Sequence, residues 1–296
     1  MLELADKVRP DFAAAGEGRA HPVAIGGIGG SGTRIFAQYL LELGYNIGSD
    51  RNAALDNLVF TLLFKRPEIF AETPSRFNAL AQILFDSLTT GAPITIERLA
   101  PFTEGLTKER DQHPSDWISE RIRRLLHPAV PVAMSGPYTR WGWKEPNSHL
   151  VIDRLLNLRR DLVYVHVTRH ALDMAYSGNM HQLAMWGSTL LQRDVEIGPR
   201  DALSYWCVVQ RRMGQFEVRF APRILVVRYE DMILDTEATC ARIADFLAIN
   251  DWKLAAERLR ASIVPPLPSR CIRKIDPSVF LEEDLSFVRA LGYDFK

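Results

Sequence analysis

Three short runs of apolar, largely β-branched residues recur along the chain, at Val23–Ile25, Leu162–Val167 and Ile224–Val227. Unbroken apolar runs of this length read as strands buried on both faces. Each is followed by a helical pattern. Ile35, Phe36, Tyr39, Leu40 and Leu43 share one face and Gly44 supplies a stop; a helix is predicted over 172–183, and another over 236–247 with Ile243, Phe246 and Leu247 apolar. Strands alternating with helices imply a parallel sheet covered on both sides. From about residue 51 to about 128 the pattern turns almost wholly helical, with Leu58, Leu62, Leu63, Leu80, Ile83, Leu84 and Leu88 spaced for buried faces. Trp141, Trp143 and Lys144 then close a further strand. The expected fold is α/β: a single domain over residues 1–296, its central parallel sheet flanked by helices, with a helical cap inserted over about 51–128.

Composition narrows this picture. With 47% hydrophobic and 24% charged residues the chain can bury a sizeable core, and its 36 basic and 36 acidic side chains cancel. No global field therefore favours nucleic acid or an anionic membrane, and any anion site must be built locally. No repeat or long Pro/Gly/Ser-rich linker divides the chain. The N-terminus lacks a basic start followed by an apolar run, and no stretch of about 18 apolar residues occurs, so neither a secretory leader nor a membrane span is expected. Cys207, Cys240 and Cys271 are widely spaced and outside any CxxC or His-rich cluster, which argues for reduced thiols in a cytoplasmic protein and for no metal site.

The densest chemistry lies at residues 24–34, AIGGIGGSGTR, where five of the 18 glycines fall between Gly26 and Gly32, after a strand and before a helix. A loop that wraps a phosphate must turn its N–H groups inward through backbone angles that glycine reaches cheaply, and the following helix N-terminus adds positive potential. Ser31 and Thr33 can add hydroxyl donors, and Arg34 a bidentate one. The alternative is a tight turn that binds nothing. A triphosphatase loop, GxxxxGK[ST], fits the spacing of Gly27 and Gly32 but needs a lysine where Thr33 stands; a dinucleotide fingerprint on Gly27, Gly29 and Gly32 needs an acid on a strand where the pattern is helical.

Further along, Arg169, Asp173 and Ser177 follow the strand end Thr168 in the pattern RxxxDxxxS, with Asp173 and Ser177 one helical turn apart; the alternative is an arginine paired with Asp173 and a serine that caps or faces solvent. Before it stands WGWKEPNSHL (141–150), and after it ILVVRYEDMILDTEATC, with Arg228, Tyr229, Glu230 and Asp231 at a strand end, where charge clusters usually cap and pair neighbouring elements. Arg270, Arg273 and Lys274 lie in a late basic stretch, 268–276. The Ser31–Gly32–Thr33 triplet resembles the 5′-phosphosulfate loop of the sulfotransferase family, although Gly30 stands where many members carry a cation. Arg169 and Ser177 are similar to that family's 3′-phosphate motif, Lys144 to its strand-end lysine, residues 228–231 to its Arg-Tyr-Glu-Asp strand end, and the stretch 268–276 to its late basic loop.

The resemblance covers residue 22 to about 275 in the family's order and implies a P-loop NTPase-like fold. It further implies a donor, 3′-phosphoadenosine 5′-phosphosulfate (PAPS), a product, adenosine 3′,5′-bisphosphate (PAP), and a small-molecule or glycan acceptor. Donor contacts would come from Gly29, Gly30, Ser31, Gly32, Thr33, Arg34, Arg169, Ser177 and Arg273, and no metal is implied. Sulfuryl transfer needs a cation near the leaving oxygen, Lys144 or Arg34, and a base near the acceptor. Glu145 is the expected base, with Asp50, Asp56, His149 and His181 as competitors; a pairing of Glu145 with Lys144 or Arg140 would leave it structural. A small-molecule kinase using Glu230 or Asp231 for magnesium, and a nucleotide-binding module without catalysis, are the rival readings.

Overall fold

The computed structural model describes residues 20–110, 112–128, 140–263 and 276–294. Within them a four-stranded sheet runs in the order β2–β1–β3–β4, all parallel. The strands are β1 (Val23–Gly27), β2 (Gly142–Lys144), β3 (Val163–Thr168) and β4 (Ile224–Arg228). Each apolar run of the sequence lies in one of them, and the tryptophan-flanked segment supplies β2. Alternation along the strands divides the core: Val23 and Ile25 of β1 and Val163, Val165 and Val167 of β3 face Phe36, Tyr39, Leu40 and Ile243, while Ala24 and Tyr164 face Leu62, Phe77, Leu84 and Trp206. The sheet is therefore buried on both sides, as parallel sheets require.

The chain leaves β1 through helix Thr33–Glu42 and crosses a helical region before reaching β2. That region holds helices Leu58–Phe64, Pro74–Thr89 and Ser115–Leu126 with shorter turns between them. From β2 the chain passes to β3 on the other side of β1, so the path reverses at β1, the place where open α/β sheets hold ligands at their carboxyl edge. Register brings that edge together: Ile25 pairs with Lys144, Gly27 with Val167, and Thr168 with Arg228.

One predicted element differs. The helix expected over 172–183 is two, Ala171–Ala175 and His181–Leu191, broken around Ser177–Gly178–Asn179. There the Ser177 hydroxyl takes the Asn179 amide proton at 3.1 Å, a local bond that competes with helix continuation and turns the segment toward the glycine loop. No helix among the described residues is long and apolar enough to cross a membrane.

Candidate donor cleft at the carboxyl edge of the sheet

The glycine loop is a strained turn whose shape needs its sequence. Gly30 and Gly32 sit at φ of 97° and 91°, left-handed angles that an L side chain rarely adopts. Space forbids a side chain at Gly32, where a Cβ would lie 2.2 Å from Cδ2 of Tyr229, and at Gly29 a Cβ would crowd Nδ2 of Asn179 at 3.1 Å. The loop is gripped between Tyr229 on one side and Ser177–Asn179 on the other. Ser31 is buried and its Oγ has no hydrogen-bond partner among the described residues. Helix Thr33–Glu42 starts at Gly32 without a side-chain cap and with no acid in its first turn; the Ile35 amide donates to the Gly32 carbonyl at 3.2 Å, while no side chain takes up the Thr33 and Arg34 amides at the positive end of its dipole. A buried hydroxyl with no partner beside uncapped amides is a cradle for a phosphate or sulfate oxygen.

A cleft of about 550 Å³ opens on this loop. Gly29, Gly30, Gly32, Thr33 and Arg34 line it, with Lys144 and Asp56 opposite and Asn179, Tyr229, Ile233 and Ile263 completing its walls. Lys144 is buried, and its Nζ donates to the Ala54 carbonyl at 3.0 Å and to Asp56 Oδ1. The acid is in turn held by its own turn: Asn52 donates from Nδ2 to Asp56 Oδ2 at 2.8 Å and accepts the Ala54 and Asp56 amides at 2.9 Å each. Among the described residues lining the cleft, Asp56 is the only acid.

Arg169 reaches the same loop. Its guanidinium donates to the Gly30 carbonyl at 3.3 Å, lies 3.5 Å from Asp173 and stacks 4.9 Å over the Tyr229 ring. Ser177 is near enough that a Cβ on Gly30 would meet its Oγ at 3.4 Å. The structure thus brings Arg169, Ser177 and the loop together. Arg273, with residues 268–275 of the late basic stretch, lies outside the described residues.

Glu145 faces elsewhere. Its two oxygens accept from the Asn147 amide at 2.6 Å and from Asn147 Nδ2 at 2.8 Å, capping the turn Pro146–Leu150, and it does not line the cleft. Burial pushes its carboxyl up to about 7, opposed by the charge of Lys65 and reinforced by that of Asp56. It pairs with neither Lys144, which holds Asp56, nor Arg140, which holds Asp251 and the Leu43 carbonyl. Of the competing bases, Asp50 is paired with Arg121 and Arg124, His149 is fully buried against Gln182 and held neutral by burial with a pKa of about 3, and His181 is exposed. Glu230 accepts the His170 amide at 2.9 Å, a capping role, whereas Tyr229 beside it is a wall of the cleft. Sequence spacing offered no sign that Tyr229, Asn179 or Ile263 would line this site, because their partners lie far away in the chain.

Residues 22–253 match the model of a family described as the sulfotransferase family. Among solved structures the chain is similar to the sulfotransferase domain of the olefin synthase of Synechococcus PCC 7002, at 16% identity, 94% of this chain, 97% of that one and a TM-score of 0.46. A sulfotransferase of Mycobacterium avium aligns at 16% identity over 94% of this chain and 78% of that one, with a TM-score of 0.46. Retinol dehydratase, solved in a complex with retinol and PAP, aligns at 15% identity over 94% and 83% of the two chains, with a TM-score of 0.41. No curated protein matches.

Proposed function

The chain belongs to the sulfotransferase family, and on that premise we propose that it transfers a sulfuryl group from PAPS to a hydroxyl or amine of a small-molecule or glycan acceptor. The observation that carries the choice of donor is the meeting of Arg169 and Ser177 with the glycine loop at Gly30. A nucleotide bearing both a 5′- and a 3′-phosphate is the ligand that uses both groups of residues at once. Gly29 to Arg34 would hold the 5′ end through backbone amides and the hydroxyls of Ser31 and Thr33. Arg169 and Ser177 would hold the 3′-phosphate, with Arg273 as a further cation, and the Tyr229 ring with Ile233 and Ile263 gives a purine an apolar shelf.

When bound, the donor supplies an activated sulfuryl group. The protein's part is to position, to offset charge and to take a proton. Lys144, buried at the cleft wall, is placed to stabilise the charge that grows on the leaving oxygen, and Arg34 can share that task from the loop's helix. We assign the acceptor's proton to Asp56, the acid in the cleft. A second reading gives it to Glu145, because a carboxyl pushed up to about 7 is poised for proton transfer near neutral pH. The helical region from Leu58 to Leu126 stands beside this edge and is proposed as the acceptor's cap.

The test is transfer of labelled sulfate from PAPS to a panel of alcohols, phenols, amines and sugars, alongside binding of PAP and ATP. Transfer with PAP bound far more tightly than ATP is expected. Equal affinity for the two nucleotides would return the kinase reading, and tight PAP binding with no transfer to any acceptor would leave a binding module.

A further inference from the structure

Helix His181–Leu191 presents Gln182 and Trp186, one turn apart on one face, to two different parts of the cleft's frame. Gln182 is buried, and its Nε2 donates to the carbonyl of Gly27, where β1 passes into the glycine loop, at 3.3 Å. Its Oε1 receives the Tyr205 hydroxyl at 3.3 Å and lies 3.1 Å from His149 Nε2. These contacts fix which way the amide points. A carbonyl can only accept, so Nε2 must face Gly27; Oε1 is then left to accept from Tyr205 and from an imidazole that burial keeps neutral, with its proton on Nε2. Turning the amide over would set oxygen against oxygen at Gly27.

One turn on, the buried Trp186 indole donates from Nε1 to Asn147 Oδ1 at 2.9 Å. Asn147 is the residue that holds both oxygens of Glu145, next to Lys144. The outer edge of the same indole meets Phe70 of the helical region, ring centroids 5.6 Å apart and planes at 87°. The helix also begins directly after Ser177 and Asn179, which press on Gly29 and Gly30. One rigid element therefore touches the glycine loop, the lysine strand end and the cap.

We propose that Gln182 and Trp186 are positioning residues: the face they share sets the separation between the donor loop and the Lys144–Glu145 strand end, and so the register of donor against acceptor. The Gly27 carbonyl fixes the plane of the peptide that opens the loop, and with it the direction of the amides beyond. Gln182 thus acts on donor affinity through the loop. Trp186, which never reaches the loop, acts on turnover through the strand end. The proposal rests on the reading that the loop binds PAPS.

The test compares Gln182→Met, of similar bulk, and Trp186→Phe, which keeps an aromatic ring but removes the indole donor, by PAP affinity, the KM for PAPS, kcat, and thermal unfolding. Q182M should weaken PAP and raise the KM for PAPS by about tenfold with a smaller change in kcat, and W186F should leave PAP affinity at the parental value while lowering kcat by about tenfold. If Q182M fails to fold, Tyr205→Phe, which loosens the same amide from outside the loop, should weaken PAP by about threefold. Lowered melting temperatures with parental PAP affinity and kcat in the folded variants would make both residues merely structural and overturn the proposal. Absence of PAP binding in the parent chain would overturn the donor reading and this proposal with it.

Discussion

The helix that follows the glycine loop and two helices of the neighbouring helical region, Leu58–Phe64 and Pro74–Thr89, begin in opposite ways. Helix Thr33–Glu42 begins at a left-handed glycine with no side-chain cap, and Ser31 beneath it keeps a buried hydroxyl without a partner. In the helical region, by contrast, Asn57 accepts the Phe60 amide at 2.8 Å and Thr73 accepts that of Arg76 at 3.4 Å. The exposed carbonyls there are closed too: Arg110 donates to Thr61, Leu62 and Lys65, and Arg154 to Ile69 and Glu72. The pairing there is partial, since among the described residues buried Asp50 Oδ2, Arg110 Nε, His113 Nδ1 and Arg121 Nε have no hydrogen-bond partner; what differs at the loop is that its open hydroxyl lies beside an uncapped helix start between left-handed glycines.

The contrast breaks most severely at Gly32. Valine there would need a left-handed backbone and would drive its Cβ into Tyr229, so Gly32→Val should abolish PAP binding while circular dichroism still reports a folded chain. A folded variant with parental PAP affinity would mean that the loop's shape does not matter to the ligand. Next in size is the proton acceptor. Asp56→Asn keeps the turn built by Asn52 and removes the charge, and should lower kcat by about 10² to 10⁴ with little change in PAP affinity. Parental turnover in that variant, with a comparable loss in Glu145→Gln, would move the role to Glu145.

Much of the glycine loop's local structure could be read directly from the sequence, because strand, glycines and helix are contiguous there and the local conformations demand those residue types. The strand ends at Lys144, Thr168 and Arg228 were legible for the same reason. What could not be read is long-range. Arg110 and Arg154 look like surface charge in a linear pattern, yet their carbonyl partners lie 45 to 49 and 82 to 85 residues away. The pairing of Lys144 with Asp56 spans 88 residues, and it decides which acid faces the cleft. Periodicity also carried the helix after Arg169 straight through Ser177, since nothing local announced that this segment would turn to press on Gly29 and Gly30.

Glu145 follows Lys144 in the chain, yet both its oxygens are taken up by Asn147. Burial is the chief cause that pushes its carboxyl from 4.5 to about 7, so the folded chain holds a proton that the unfolded chain has released. The sign follows: this contribution to stability is full below about 4.5 and is lost as pH rises through about 7. One pKa unit corresponds to about 1.4 kcal/mol, so the stability of the parent relative to Glu145→Gln should fall by on the order of 3 kcal/mol over that window. Chemical denaturation of both proteins at several pH values measures it. A pH-independent difference would mean that the carboxylate stays ionised in its hydrogen bonds to Asn147.

The smallest expected effect is also the most selective, and it asks whether the loop's openness extends to a second phosphate. Arg169 already donates to the Gly30 carbonyl and lies beside Asp173, so its removal has two consequences: a loss of support for the loop, and a loss of charge where a 3′-phosphate would lie. Only the second depends on the ligand. A charge-assisted hydrogen bond contributes about 1.5 to 3 kcal/mol, so Arg169→Ala should weaken PAP by roughly tenfold or more. Adenosine 5′-phosphate, which lacks the 3′ group, should lose only what the loop's lost support costs, and so clearly less than PAP. Equal losses for the two nucleotides would show that Arg169 serves the loop alone, through Gly30, and the 3′-phosphate would then need another cation.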